Sequence, residues 1–123
     1  MPNYLDLFAG AGGLSEGFIR AGFEPIAHVE MDVAASYSLK TRMAYHWLKR
    51  NNKLNIYTQY LNGEISREEF YEKIPKPILN SVLNYEISEE TLPAIFSEID
   101  AMLNGKHLDL IVGGPPCQAY SLV

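Results

Sequence analysis

A short apolar segment, Tyr4-Leu5-Asp6-Leu7-Phe8, runs directly into the glycine cluster Gly10-Ala11-Gly12-Gly13, and a helical pattern begins at once after it. An apolar segment this short fits a strand buried on both faces of a parallel sheet. Glycines between strand and helix permit a tight turn and let a ligand approach the backbone closely. Leu14, Phe18 and Ala21 then fall at helical spacing, Gly22 supplies a stop, and Phe23 to Val29 is a second strand candidate. The order strand, glycine turn, helix, strand is the opening unit of a Rossmann-like α/β sheet.

Further along, Asp32 can cap a helix from about Val33 to Leu48, which Asn51 and Asn52 break. The stretch from Lys53 to Leu83 is polar and aromatic-rich and resists assignment, except that Ser66-Arg67-Glu68-Glu69 fits a capping box and predicts a short helix ending near Pro75. Pro75 and Pro77 read as a loop, and a further strand is expected near Asn84 to Ile87. Glu89 to Leu103 reads as a helix with Leu92, Ile95, Phe96, Ile99 and Leu103 on one face and Gly105 closing it. Leu108 to Val112 reads as a buried strand, followed by the turn Gly113-Gly114-Pro115-Pro116.

At 123 residues, 47% hydrophobic and 20% charged, the chain has the composition of an ordinary globular domain. No apolar run approaches the roughly 20 residues that span a membrane, and the start Met1-Pro2-Asn3-Tyr4 has no secretory pattern, so the expectation is a cytoplasmic protein without a membrane partner. The single cysteine, Cys117, suits a reducing compartment. His28, His46 and His107 show no metal-ligand spacing and read as surface or structural residues. A complete DNA-binding surface is usually basic, whereas the net charge here is −5.

Three groups of residues carry chemistry. In the glycine turn, Ser15 stands where a dinucleotide fingerprint has its third glycine, and the flat ring of Phe8 is better suited to a base than to a pyrophosphate. Glu30 ends the second strand about 20 residues beyond the glycines, where a carboxylate can accept hydrogen bonds from ribose hydroxyls. Together they favour an adenosine-containing cofactor. Asp32 reads as a helix cap, and Asp6 as an acceptor for backbone donors near the turn. The third group is Gly114-Pro115-Pro116-Cys117-Gln118-Ala119-Tyr120-Ser121, where two prolines after a strand hold a thiol in a loop. Such a cysteine is a nucleophile if its thiolate is stabilised nearby; otherwise it is a small apolar residue.

Asp6 to Gly13, Val29 to Asp32 and Gly113 to Ser121 resemble the first, second and fourth motifs of the DNA cytosine-5 methyltransferases, in the same order and with matching spacing. The tripeptide Pro116-Cys117-Gln118 is the most specific of these matches. The resemblance implies a Rossmann-like S-adenosylmethionine-dependent methyltransferase fold, of which this chain is the N-terminal part. The chain is then one partial catalytic domain, with cofactor motifs over 4–32, a helical insert over about 43–83 that is longer than the family core needs, and a nucleophile loop over 113–121.

By the same resemblance, Phe8, Gly10 and Gly12 line the S-adenosylmethionine pocket and Glu30 binds the ribose. Met31 lies against the adenine in place of the family's usual large side chain. Glu86, followed by Ile87, stands for the family's aspartate that reaches the adenine amino group, with glutamate in place of aspartate. Pro116 shapes the loop and Cys117 is the nucleophile. The implied reaction moves a methyl group to C5 of a cytosine flipped out of double-stranded DNA, leaving S-adenosylhomocysteine. The family's remaining motifs and its recognition domain have no counterpart here, so the chain is expected to be a fragment, or one piece completed by a second chain, inactive alone. Two other readings are a noncatalytic S-adenosylmethionine-binding or assembly module and, disfavoured by Ser15, a nicotinamide-dependent oxidoreductase half-domain.

Overall fold

The structure, a computed structural model, describes residues 1–114. Four parallel strands form one sheet: β1 (Asn3–Leu7), β2 (Glu24–Glu30), β3 (Val82–Asn84) and β4 (Leu110–Gly113), in the order β3-β2-β1-β4. The chain passes from β1 outward through β2 to β3, then returns to place β4 on the far side of β1. The strand order therefore reverses beside β1, the position at which open α/β sheets form a ligand crevice beyond their carboxyl ends.

Alternation along the strands decides which helices cover which face. Leu5, Ala27, Val29 and Leu83 pack with Ile95 and Ile99 of α6 (Leu92–Leu103). Tyr4, Asp6 and His28 turn to the other face, which carries α1 (Gly13–Arg20) and α2 (Val33–Arg50). There the Tyr4 hydroxyl meets Ser15 Oγ, which lies 2.7 Å from His28 Nε2, all three side chains being buried. Burial pushes the His28 imidazole down to about 4 and the Tyr4 hydroxyl up to about 12. Sheet and helices thus form the α/β arrangement expected from the opening unit.

Between α2 and β3 lie three short helices, α3 (Leu54–Leu61), α4 (Arg67–Glu72) and α5 (Lys76–Asn80). They pack on the second half of α2 through a separate cluster centred on Ala44, Leu48, Phe70 and Ile74. The capping box is complete: Ser66 Oγ accepts from the Glu69 amide at 3.1 Å and Glu69 Oε1 accepts from the Ser66 amide at 3.2 Å. Asp32 caps α2 through Oδ2, which accepts from the Ala35 amide at 3.2 Å.

Five expectations need correction. The span around Pro75 and Pro77 is not a loop but opens α5, because proline near a helix start gives up a donor that has no partner there. β3 lies at Val82–Asn84, earlier than the expected Asn84 to Ile87, since its Val82 and Leu83 bury themselves against the opposite sheet faces. α6 starts at Leu92 rather than Glu89, after a turn closed by Ser88 and Thr91, and its Phe96 is 54% exposed. β4 is not buried: as an edge strand it leaves Ile111 59% exposed. Among the described residues, Asp6 satisfies no backbone donor and is buried with neither carboxylate oxygen bonded, and burial, with the Glu30 charge second, pushes it up to about 6.

Candidate cofactor and nucleophile site

Because all four strands are parallel, the loops that follow them share one end of the sheet. Phe8, Gly10 and Gly12 follow β1, Glu30 and Met31 end β2, and Glu86 lies two residues beyond β3. Pro116 and Cys117 lie outside the described residues. The strand that leads to them, β4, pairs with β1 so that Gly113 is opposite Leu7. A Cβ at Gly113 would lie 2.6 Å from the Leu7 carbonyl oxygen, so only glycine lets the two strand ends approach this closely.

The turn after β1 is built from left-handed backbone: Phe8, Gly10 and Gly12 have φ of 55°, 59° and 96°. For a non-glycine residue such as Phe8 this is a strained conformation, of the kind that clusters at ligand sites. Two bonds hold it. The Ala9 amide donates to the Val29 carbonyl at 3.0 Å, and the Gly10 amide donates to Glu30 Oε1 at 2.8 Å. Glu30 Oε2 accepts from the Asp32 amide at 2.8 Å, so one carboxylate joins the glycine turn to the start of α2.

The two glycines differ in what surrounds them. Among the described residues nothing lies within 4 Å of a Cβ built on Gly10, which leaves open space over the turn. A Cβ on Gly12 would lie 2.9 Å from both Arg42 Cδ and Leu39 Cδ2, so α2 packs against the turn there. Arg42 also donates from Nε to the Ala11 carbonyl at 2.7 Å. Met31, beside Glu30, is 61% exposed on the open side, and Glu86 is exposed. An open space over Gly10, a carboxylate with spare lone pairs at its edge and an exposed thioether beside it suit a nucleoside-bearing cofactor: backbone for the polar part, Glu30 for hydroxyls, Met31 for a flat apolar ring.

Two residues of this region escape sequence reasoning. Asn84, at the end of β3, donates from Nδ2 to the Glu30 carbonyl at 3.0 Å and to the Met31 carbonyl at 2.9 Å, fixing the loop that carries both. Arg42 reaches the glycine turn from 31 positions away. Neither belongs to a local pattern; the one available signal for Asn84 is an amide at the start of a predicted strand.

A family model described as C-5 cytosine-specific DNA methylase matches residues 3–70. Among curated proteins, a type II methyltransferase of Bacillus paralicheniformis is 40% identical over 97% of this chain and 31% of its own length. A putative type II methyltransferase of Methanocaldococcus jannaschii is 33% identical over 98% of this chain and 37% of its own. The chain thus spans about a third of the length of these relatives. No solved structure matches. Among the described residues, no helix is long and apolar enough to cross a membrane.

Proposed function

The chain belongs to the C-5 cytosine-specific DNA methylase family, and on that premise we propose that it binds S-adenosylmethionine at the Gly10–Glu30 corner and contributes Cys117 as the nucleophile of methyl transfer to cytosine C5 in DNA. The observation that carries the reading is the clamp between Glu30 and the Gly10 amide, which presents a carboxylate beside an open glycine turn where the strand order reverses. Phe8, Gly10 and Gly12 would form the floor of the site, Glu30 would accept from the ribose hydroxyls, and Met31 and Glu86 would face the adenine. Pro116 would orient the loop. The product left behind would be S-adenosylhomocysteine.

When bound, the cofactor supplies an electrophilic methyl group. Cytosine C5 is too weak a nucleophile to take it unaided. The Cys117 thiolate would add to C6, forming an S–C6 bond and shifting the C5–C6 electron pair to C5, which would then have the electron density to accept the methyl group. A base would remove the C5 proton, and the returning pair would expel the thiolate. Reaching C6 requires the base to leave the duplex, at a cost of a few kcal/mol.

Transfer would also need sequence beyond these 123 residues, on the same chain or a second one. In support, the chain matches only 31% of the Bacillus relative, and the β4 edge exposes Ile111. The setting would be the cytoplasm, where DNA and a reduced thiol coexist. The test is methyl incorporation into unmethylated DNA by a chimera carrying residues 1–123 in place of the matching part of the Bacillus relative. Cys117→Ala should abolish incorporation while leaving S-adenosylmethionine affinity within a few fold; retained turnover would remove Cys117 from the mechanism.

A further inference from the structure

From Val33 to Gly63 the chain carries Lys40, Arg42, Lys49, Arg50 and Lys53 and not one aspartate or glutamate, although its net charge is −5. Positive charge is therefore segregated, not absent. Of these five, Arg42 borders an open groove of about 830 Å³ that runs along α2, between α1 on one side and α3 and α4 on the other, and Arg20 and Arg67 join it from α1 and α4. Tyr37, Tyr45 and Tyr60 are among the rings that line it.

The charges in the groove are only partly spent. Among the described residues Glu16 is its one lining carboxylate, and it already binds Arg20 at 3.1 Å, Arg42 at 3.4 Å and His46 at 2.8 Å. The Arg67 guanidinium stacks 3.7 Å from the centre of the Tyr37 ring, and Lys40 Nζ, outside the groove lining, lies 5.5 Å from the centre of the same ring. Neither forms an ion pair among the described residues. A stacked guanidinium keeps its N–H edge free for a phosphate, and tyrosine hydroxyls can donate to phosphate oxygens. The groove includes Ala11 of the glycine turn and Ala34 in the first turn of α2, so it opens at the same end of the sheet as the candidate site.

We infer that this groove is a docking surface for the phosphate backbone of duplex DNA flanking the target base. The inference rests on the proposed function for the identity of its polyanion, and adds the surface that would hold it. An open, arginine-bordered trough suits a polymer of phosphates, whereas a small-molecule pocket is more enclosed and mostly apolar. Concentrating basic residues on one side also lets an acidic chain meet DNA without reversing its overall charge.

Fluorescence anisotropy of a labelled duplex of arbitrary sequence, titrated with the protein over a series of salt concentrations, tests this. Arg20→Gln combined with Arg67→Gln should reduce the log–log salt slope by roughly 2, about 1 per phosphate contact, and weaken binding roughly tenfold or more near 0.1 M salt. Lys106→Gln, between α6 and β4 and outside the groove, should match the wild type. A double variant with unchanged slope and affinity overturns the inference, as does an equal loss in Lys106→Gln, tighter binding of the corresponding single strand, or a wild type with no salt-dependent binding. Methyl transfer, measured in parallel on the chimera, separates the two claims. Transfer with an unchanged slope sinks the groove alone, and a reduced slope without transfer sinks the catalytic reading alone.

Discussion

Glu30 grips the glycine turn directly: its Oε1 accepts the Gly10 amide at 2.8 Å while its Oε2 accepts the Asp32 amide at the same distance. The side chain that would meet the ribose is therefore also the brace of the turn that would cradle the cofactor. Glu30→Ala should weaken S-adenosylmethionine binding by about tenfold or more, since lost hydrogen bonds to buried hydroxyls cost roughly 1–3 kcal/mol. The same variant should melt at lower temperature. Calorimetry of Glu30→Ala and Glu30→Gln checks the first effect, and an unchanged dissociation constant would move the ribose contact elsewhere.

Gly10 and Gly12 should fail in different ways when given a side chain. Gly12→Ala places a Cβ 2.9 Å from Arg42 and Leu39 at a φ of 96°, so stability should fall by about 2 kcal/mol or more. Gly10→Ala meets nothing within 4 Å among the described residues, at a φ of 59°. It should cost only about 1 kcal/mol of stability while obstructing the cofactor. Denaturant melts paired with cofactor titrations distinguish the two, and equal stability losses would contradict the assignment of packing to one glycine and access to the other.

Asp6 and His28 are register partners on β1 and β2, both buried, and titrate with opposite consequences. His28 is depressed to about 4 from 6.5, so the unfolded chain binds more protons in that window and stability is lost as pH falls through it. Asp6 is raised to about 6 from 3.8, so the folded chain holds the extra proton and stability is lost as pH rises through that window. The two slopes oppose one another between about 4 and 6. Asp6→Asn removes the second slope alone. The variant should therefore gain stability more steeply than the wild type over this window, and exceed it by about 1–2 kcal/mol near pH 7. Parallel slopes in urea melts from pH 4 to 7 would show that Asp6 does not titrate as its burial implies.

The 123 residues alone should not methylate DNA and should self-associate through the β4 edge. Among the described residues the outer edge of β4 has no strand partner, and an edge that exposes Ile111 (59% exposed) invites pairing with a second copy. Ile111→Lys should lower the weight-average mass in sedimentation equilibrium without lowering the melting temperature. Methyl incorporation by the isolated chain above a Cys117→Ala control would show that it suffices.

Much of this was legible in the sequence because the signals are local. The apolar run ending at Leu7, the glycines after it and Glu30 at the end of β2 each announce themselves within a few residues, and the Ser66 capping box spans only four. Elements whose stability comes from elsewhere were not legible. β3 is three residues long and has no alternation to display, and α5 begins at a proline that reads equally as a loop. β4 looked buried because its composition is apolar, while its exposure follows from strand order, which no local pattern encodes. The contacts of Arg42 with Ala11 and of Asn84 with the Glu30 loop join residues 31 and 54 positions apart, and the groove on α2 needs helices that the aromatic-rich stretch did not reveal.

The central claim is that Cys117 attacks a flipped cytosine in a protein that binds S-adenosylmethionine at the Gly10–Glu30 corner. It is tested most directly by covalent capture on duplex DNA carrying 5-fluorocytosine at the target position, where the fluorine blocks the final proton removal and leaves the protein attached. The chimera with the Bacillus relative, incubated with this DNA and S-adenosylmethionine, should give an adduct that survives denaturation, with peptide mapping placing the link at Cys117. Cys117→Ala should give none while remaining folded and binding the cofactor. A folded, cofactor-binding chimera that forms no adduct, or an adduct that persists in Cys117→Ala, would contradict the account.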